Sequence, residues 1–220
     1  MDASVRTRLS RDDRMEQTLG VAHLLFAEHG YAAVTMDEIA AAVGVTKPLL
    51  YTYFGNKERL YLACMERAGD ALTATVAEAV AATDSPADAL GAGVHAFFAF
   101  LDSDRAAWAV LFDETLPNRG EVAERVASYR NQIAELVSGS MLAQLPQSRR
   151  DAARTEIEAL STALLGAAEA LARWWLRTEA LSAEEAADLL ISTVEPGLRA
   201  RSGAPSSPTS QPPGKGTTQK

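Results

Sequence analysis

Residues 35–53 read TMDEIAAAVGVTKPLLYTY, and five of the side chains in this stretch can donate hydrogen bonds outward: Thr46, Lys47, Tyr51, Thr52 and Tyr53. Pro48 and Leu49 sit among them. Hydroxyls and an ammonium group at this density suit non-covalent recognition. They can donate to phosphate oxygens and to base edges, and Leu49 can meet an apolar group such as a thymine methyl. A reaction would need more. The three histidines (His23, His29, His95) are scattered, and no spacing among them matches a zinc-enzyme motif. No nucleophile elbow, phosphate loop, metal-ligand set or acid/base pair is visible, so the chain reads as a non-enzyme without cofactor or metal.

The elements that would position these groups are legible around them. Thr35 followed by Glu38 fits a capping box and starts a short helix. Ile39 and Val43 face inward, and Ala40 is small where a second helix must cross. Gly44 supplies the left-handed backbone that ends the first helix in a tight turn. Val45 plugs the corner. Thr46 caps the second helix, with Lys47 and Pro48 in its first turn. Leu50 and Phe54 turn back to the core. Two short helices crossing at a glycine turn make a helix-turn-helix. Its second helix enters a major groove N-terminus first, which brings residues 46–49 to base edges. An ordinary helical hairpin is the alternative. Caps, small residue, glycine and apolar positions all agree with the helix-turn-helix.

Strand signals are scarce and helix starts recur. Ser182 with Glu185 repeats the capping box; Ser10 with Asp13, Ser85 with Asp88 and Ser148 with Asp151 are its acidic variants. The pattern predicts an all-α chain of about nine helices. They fall at roughly 11–28, 36–43, 47–53, 57–82, 86–102, 105–114, 121–143, 149–178 and 183–199. A DNA-binding domain over 1–60, with a basic arm at 1–10, precedes a larger helical domain over 61–200. Residues 201–220 hold Pro, Ser, Thr and Gly but no large apolar side chain, and read as a disordered tail.

The net charge of −8 excludes a strongly basic nucleic-acid coat protein but not a local basic face. Residues 1–67 hold eight basic and nine acidic side chains, while residues 68–200 hold ten and twenty. The N-terminal part is thus the folded region that repels DNA least. Arg6, Arg8 and Arg11 precede or open the first helix and could reach a minor groove or phosphates; a frayed terminus is the equal alternative. A single cysteine, Cys64, excludes a disulfide framework within the chain and reads as a small apolar residue rather than a redox switch. No signal peptide or membrane span is visible, so a cytoplasmic protein with no membrane partner is expected.

Residues 14–65 resemble the DNA-binding domain of the tetracycline-repressor-like (TetR) family of transcriptional regulators. The resemblance rests on LF-x-E-x-GY at the end of the first helix, T-x-x-x-IA-x-x-x-GV, LY-x-YF in the recognition helix and N-K-E-x-L at the start of the fourth. It implies that Thr35 caps the second helix and touches phosphate. It also implies that Lys47, Pro48 and Leu49 face bases, that Tyr51 and Tyr53 bond phosphates, and that Lys57 clamps the backbone. Asp37 departs from the pattern, standing where relatives often carry a basic group.

The larger domain is matched by helix count. The long helix at 149–178 is apolar on more than one side, so it is buried on more than one side. The family's four-helix-bundle dimer would draw on Leu160, Leu164, Leu171 and Trp175, with Leu189, Leu190 and Val194 from the last helix. A two-fold protein then reads two half-sites of a near-palindromic double-stranded operator. Relatives place a small-molecule effector among the middle helices. The candidate lining is Phe97, Phe98, Leu101, Trp108, Phe112, Tyr129 and Trp174, with simple core packing as the favoured alternative for any single aromatic, and Glu169 is the candidate polar anchor, with an i,i+4 pair to Arg173 as its favoured alternative. The resulting expectation is a homodimeric repressor released from its operator by a largely apolar effector. A helical enzyme and a protein-binding adaptor are the other readings, and salt-dependent DNA binding separates the adaptor.

Overall fold

The structure is a computed structural model and describes residues 10–113, 116 and 119–202. Among them, nine α-helices and no strand occur: α1 (Arg11–Ala33), α2 (Met36–Val43), α3 (Lys47–Phe54), α4 (Lys57–Ala81), α5 (Pro86–Ser103), α6 (Arg105–Leu111), α7 (Glu121–Ala143), α8 (Gln147–Thr178) and α9 (Ala183–Ser202). The basic arm, with Arg6 and Arg8, lies outside the described residues, as does 203–220. α9 runs to Ser202, so the first two residues of the expected tail are helical.

Local chemistry sets most of the boundaries. Ser10–Asp13 and Thr35–Glu38 form reciprocal capping boxes. At α9, Glu185 N donates to Ser182 Oγ at 3.1 Å, and the Glu185 carboxylate accepts from Ser182 N at 2.7 Å. Two expected caps are corrected. Ser85 accepts from Ala87 rather than from Asp88, and α8 starts at Gln147 with Pro146 before it, leaving Ser148 inside the helix. Pro146 presets a φ of −55°, so the chain enters α8 without a side-chain cap. α1 breaks at Gly30, whose φ of 77° only glycine adopts without strain.

α4 is the spine. Its 25 residues span about 38 Å. Leu60, Tyr61, Cys64, Met65, Ala68, Leu72 and Val76 recur along its buried side. The N-terminal end packs on α1 and α6, and the C-terminal end on α5 and α7. One continuous apolar core therefore runs from Phe26 and Leu50 through α4 to Trp175 and Leu190.

α6 is the other bridge to α1. Val110 and Leu111 are buried, and Tyr31 N donates to the Asp113 carboxylate at 2.6 Å. His23 lies on the same seam, 14% exposed, with both ring nitrogens buried and unbonded and Asp104 at 3.8 Å. Burial pushes its pKa below 6.5, against the pull of Asp104 and with a smaller push from Arg67. The folded state therefore resists the proton that the unfolded chain accepts near 6.5. Stability from this site is full above that pH and is lost as pH falls through the lowered folded value. Chemical denaturation at about pH 7.5 and about pH 5.5 should show a smaller loss in His23→Leu than in the parent. Equal losses would remove His23 from the acid sensitivity.

Cys64 is buried, and burial pushes its thiol up to about 12. Almost no thiolate exists near neutral pH, so it packs as a small apolar side chain.

Candidate nucleic-acid interface

α2 and α3 meet at a corner built by Gly44. Its φ of 76° is the left-handed conformation, and the Gly44 and Val45 amides both donate to Ala40 O at 3.0 Å. Ile39, Ala40 and Val43 on α2 and Leu50 and Phe54 on α3 are buried. That packing turns Thr46, Lys47, Pro48, Tyr51 and Thr52 outward, with Leu49 and Tyr53 half-buried. Five of the expected recognition residues are therefore exposed in and just before α3.

The bonding state of each group is more specific than its exposure. Thr46 occupies the N-cap position of α3 but makes no side-chain cap bond, which corrects the expected cap. Its neighbour Pro48 has no amide hydrogen to offer. Thr35 Oγ1 accepts from Glu38 N and donates to the Glu38 carboxylate at 2.9 Å, so its hydroxyl is committed to the capping box. Thr35 N donates to the Glu38 carboxylate at 2.8 Å, and this bond, aided by the one from the Thr35 hydroxyl, holds the carboxyl below the usual range. Thr52 Oγ1 donates back to Pro48 O at 2.8 Å. The Arg11 guanidinium lies 5.7 Å over the Tyr53 ring and brings a second cation to the α3 face. Lys47 Nζ donates to Asp37 Oδ2 at 2.8 Å, across the corner from α2. Its pKa is raised by that bond.

Lys57 points inward. Its ammonium donates to Tyr31 O at 2.9 Å, Val34 O at 3.0 Å and Ala32 O at 3.5 Å, and sits 4.5 Å over the Tyr31 ring. It satisfies carbonyls that the end of α1 leaves without helical partners. A clamp on phosphate requires the ammonium to leave them. Lys57→Met should cost about 1–3 kcal/mol of stability. A denaturation midpoint equal to the parent's would show these bonds to contribute nothing net.

Among the described residues, a pair of cavities lies between α4, α5, α7 and α8. One is about 50 Å³, bounded by Val76, Leu90, Val94, Leu136 and Leu164, with Ser140 at its margin. The other is about 30 Å³ and is reached by Thr73, Phe112, Tyr129, Arg130 and Glu169. Phe97, Ile133 and Leu165 line both, so the two are neighbours separated by side chains. Thr73 Oγ1 is buried without a hydrogen-bond partner and belongs to the second. Glu169 pairs with Arg130 by two bonds at 2.8 and 2.9 Å. This partner is on α7, 39 residues away in the chain.

Of the expected pocket residues, Phe97, Phe112, Tyr129 and Glu169 line a cavity. Four do not. Phe98 and Leu101 are fully buried in the core, Trp108 stacks on Phe112 at 4.1 Å, and Trp174 is 39% exposed. Thr73, Ile133, Leu165 and Arg130 were missed, because a helical period marks a buried face without saying what lies opposite it. Three of the expected dimer residues are packed inside the single chain. Leu164 is 6%, Leu190 5% and Trp175 2% exposed within the single chain. Trp175 Nε1 donates to Leu181 O, and its ring meets Phe98 edge-on. Leu160, Leu171 and Val194 stay half-buried, and Leu189 is 48% exposed.

The helix-turn-helix and the helical domain each match a family model: bacterial regulatory proteins of the tetR family over residues 19–64, and a tetracyclin repressor-like C-terminal domain over residues 86–195. The chain belongs to the TetR family. A TetR-like transcriptional regulator from Rhodococcus sp. RHA1 superposes with a TM-score of 0.72 at 30% identity, covering 87% of this chain and 98% of that one. The HTH-type transcriptional activator FasR of Mycolicibacterium smegmatis is 40% identical over 119 residues, 54% of each chain. The chain spans about half the length of the curated relatives it matches. AibR, solved with isovaleryl coenzyme A and operator DNA, shares the TetR fold with a TM-score of 0.63 at 21% identity, covering 82% of this chain and 97% of that one. The helix-turn-helix of this TetR-family chain lies within the residues that match the tetR regulatory-protein model. No helix among the described residues is long and apolar enough to cross a membrane.

Proposed function

We propose that this chain is a ligand-responsive regulator that occupies a near-palindromic operator as a homodimer and leaves it when an effector binds. The observation that carries the reading is the outward face of α3, where Thr46, Lys47, Pro48, Tyr51 and Thr52 stand clear of the core beside Arg11. In this docking Lys47, Pro48 and Leu49 approach bases while Thr46, Tyr51 and Tyr53 approach phosphates. Thr35, Thr52 and Lys57 serve chiefly to hold α1–α3 in shape, since their donors are engaged within the protein.

The dimer face consists of what the single chain leaves open on α8 and α9. Leu160, Ala163, Ala167, Leu171 and Trp174 recur at three- and four-residue steps on α8, and Leu189 and Val194 continue the face on α9. Small residues at these steps let a second copy's helices approach closely. Two copies bring two α3 helices to successive major grooves.

The effector is a molecule with an apolar body and one hydrogen-bonding group. The body suits the wall of Val, Leu and Phe side chains, and the polar group suits the unpartnered Thr73 hydroxyl beside the Arg130–Glu169 pair. Both cavities are narrow, so binding must part α4, α5, α7 and α8. α4 carries that displacement to the helix-turn-helix. DNA and effector then weaken each other's binding equally. Release on binding makes the protein a repressor, cytoplasmic like its DNA.

The test is selection of bound duplexes from a random pool, with Lys47→Ala in parallel. Enrichment of a near-palindrome by the parent alone supports the docking. Equal enrichment by Lys47→Ala places the reading face elsewhere, and no enrichment at low salt favours a protein-binding adaptor. A reporter driven from the selected duplex then separates repression from activation.

A further inference from the structure

The ion pair across the helix-turn-helix corner joins two residues of opposite recognition chemistry. Lys47 is in the first turn of α3 and Asp37 in the first turn of α2, and the pair is exposed on both sides, 48% and 67%. In water such a pair adds little to folding. Both side chains stand on the face that the docking above turns toward DNA, so their chemistry matters in the groove. A carboxylate there repels phosphate and the keto oxygens of guanine and thymine. It accepts only from an exocyclic amino group, and cytosine N4 is its usual partner. Lys47 keeps two further N–H donors after bonding Asp37, and guanine O6 and N7 are the strongest acceptors in the groove.

We propose that Asp37 and Lys47 act as one acceptor–donor unit that reads a single C·G base pair in each half-site, with cytosine on the Asp37 side. The inference rests on the α3 docking proposed above. In a C·G pair the cytosine amino group and guanine O6 lie side by side, matching a carboxylate beside an ammonium. An A·T pair offers an amino group beside O4 but no second acceptor for Lys47, and ranks next. G·C and T·A turn a keto oxygen toward Asp37 and rank last. The bond between the two side chains also keeps Lys47 from settling on the nearest phosphate, so Asp37 exchanges sequence-independent affinity for discrimination.

The experiment is parallel duplex selection with the parent, Asp37→Asn and Asp37→Ala, followed by competition binding at fixed salt with all four base pairs at the position where the selected sequences differ. Asparagine keeps the shape but can donate as well as accept, so it should flatten the ranking. The parent should prefer C·G over G·C by about tenfold or more. Asp37→Asn should hold all four within about threefold, and Asp37→Ala should bind random duplex more tightly than the parent. Identical selected sequences from parent and Asp37→Asn would overturn the proposal, as would a parent ranking that places G·C or T·A first. Failure of the underlying docking is distinguishable. In that case Lys47→Ala would bind the selected duplex as tightly as the parent, whereas a Lys47-dependent duplex unaffected by Asp37→Asn sinks the base-pair reading alone. Both positions are exposed, and superimposable circular-dichroism melts would confirm that the variants fold.

Discussion

Tyr61→Ala should lower folding stability by about 3–5 kcal/mol, the range for emptying a buried aromatic site. Tyr61 is fully buried on α4. Its ring meets Phe26 edge-on at 4.9 Å and Tyr31 at 4.9 Å, both from α1. Its hydroxyl donates to Val110 O on α6 at 2.5 Å, and burial pushes its pKa well above the ordinary tyrosine value. One side chain thus joins the DNA-binding helices to the first bridge of the larger domain. Tyr61→Phe isolates the hydrogen bond, because it keeps the ring and strands the buried carbonyl; it should cost about 1–3 kcal/mol. Urea denaturation of both variants checks the pair. A Tyr61→Ala protein within about 1 kcal/mol of the parent would mean that the α1–α4–α6 junction is not a stability centre.

The second large effect is a change of sign. A Cβ at Gly69 would stand 2.5 Å from two ring carbons of Tyr129, well inside contact distance. The ring cannot simply slide away, because its hydroxyl donates to the Asp70 carboxylate at 2.8 Å and approaches Glu66 O at 3.2 Å. Gly69→Ala should therefore cost about 1–3 kcal/mol by overpacking, reduced by alanine's better helix propensity. In a Tyr129→Ala background the clash is gone and only the propensity remains. There Gly69→Ala should stabilise by up to about 1 kcal/mol. A double-mutant cycle by thermal or urea denaturation reads the reversal. Additive effects would show that α4 and α7 are not locked at this contact. Tyr129 and Gly69 also both line the smaller cavity.

The helix-turn-helix was readable because its determinants are local. The Thr35–Glu38 box, the Gly44 turn and the inward Leu50 and Phe54 each involve residues within a few positions of one another, and a local sequence carries that information in full. The same holds for the helix starts at Ser10 and Ser182. Where an expectation failed, the partner was distant in sequence. Glu169 bonds Arg130, 39 residues distant, a partner that the sequence of its own helix does not reveal. The Lys57 ammonium finds carbonyls 23 to 26 residues back. The Lys47–Asp37 bond spans ten residues and a turn, so it depends on how closely the two helices cross.

The sequence by itself determined the all-α architecture, the positions of the helices to within a few residues, and the helix-turn-helix corner at Gly44. Capping, helical periodicity and the conformational freedom of glycine act over three or four residues, and that range covers all three. Only the tertiary structure decided which side of α8 lies inside. Both sides are apolar, so periodicity could not rank them. α5 and α7 packing against α4 and α8 enclose Leu164 and Ala168, and the Trp175 indole turns inward to bond the chain entering α9. That choice leaves Leu160, Leu171 and Trp174 toward the outside and draws Thr73, Phe97 and Tyr129 around the cavities. A face becomes interior when other helices cover it, and that is a property of the packed chain rather than of any one helix.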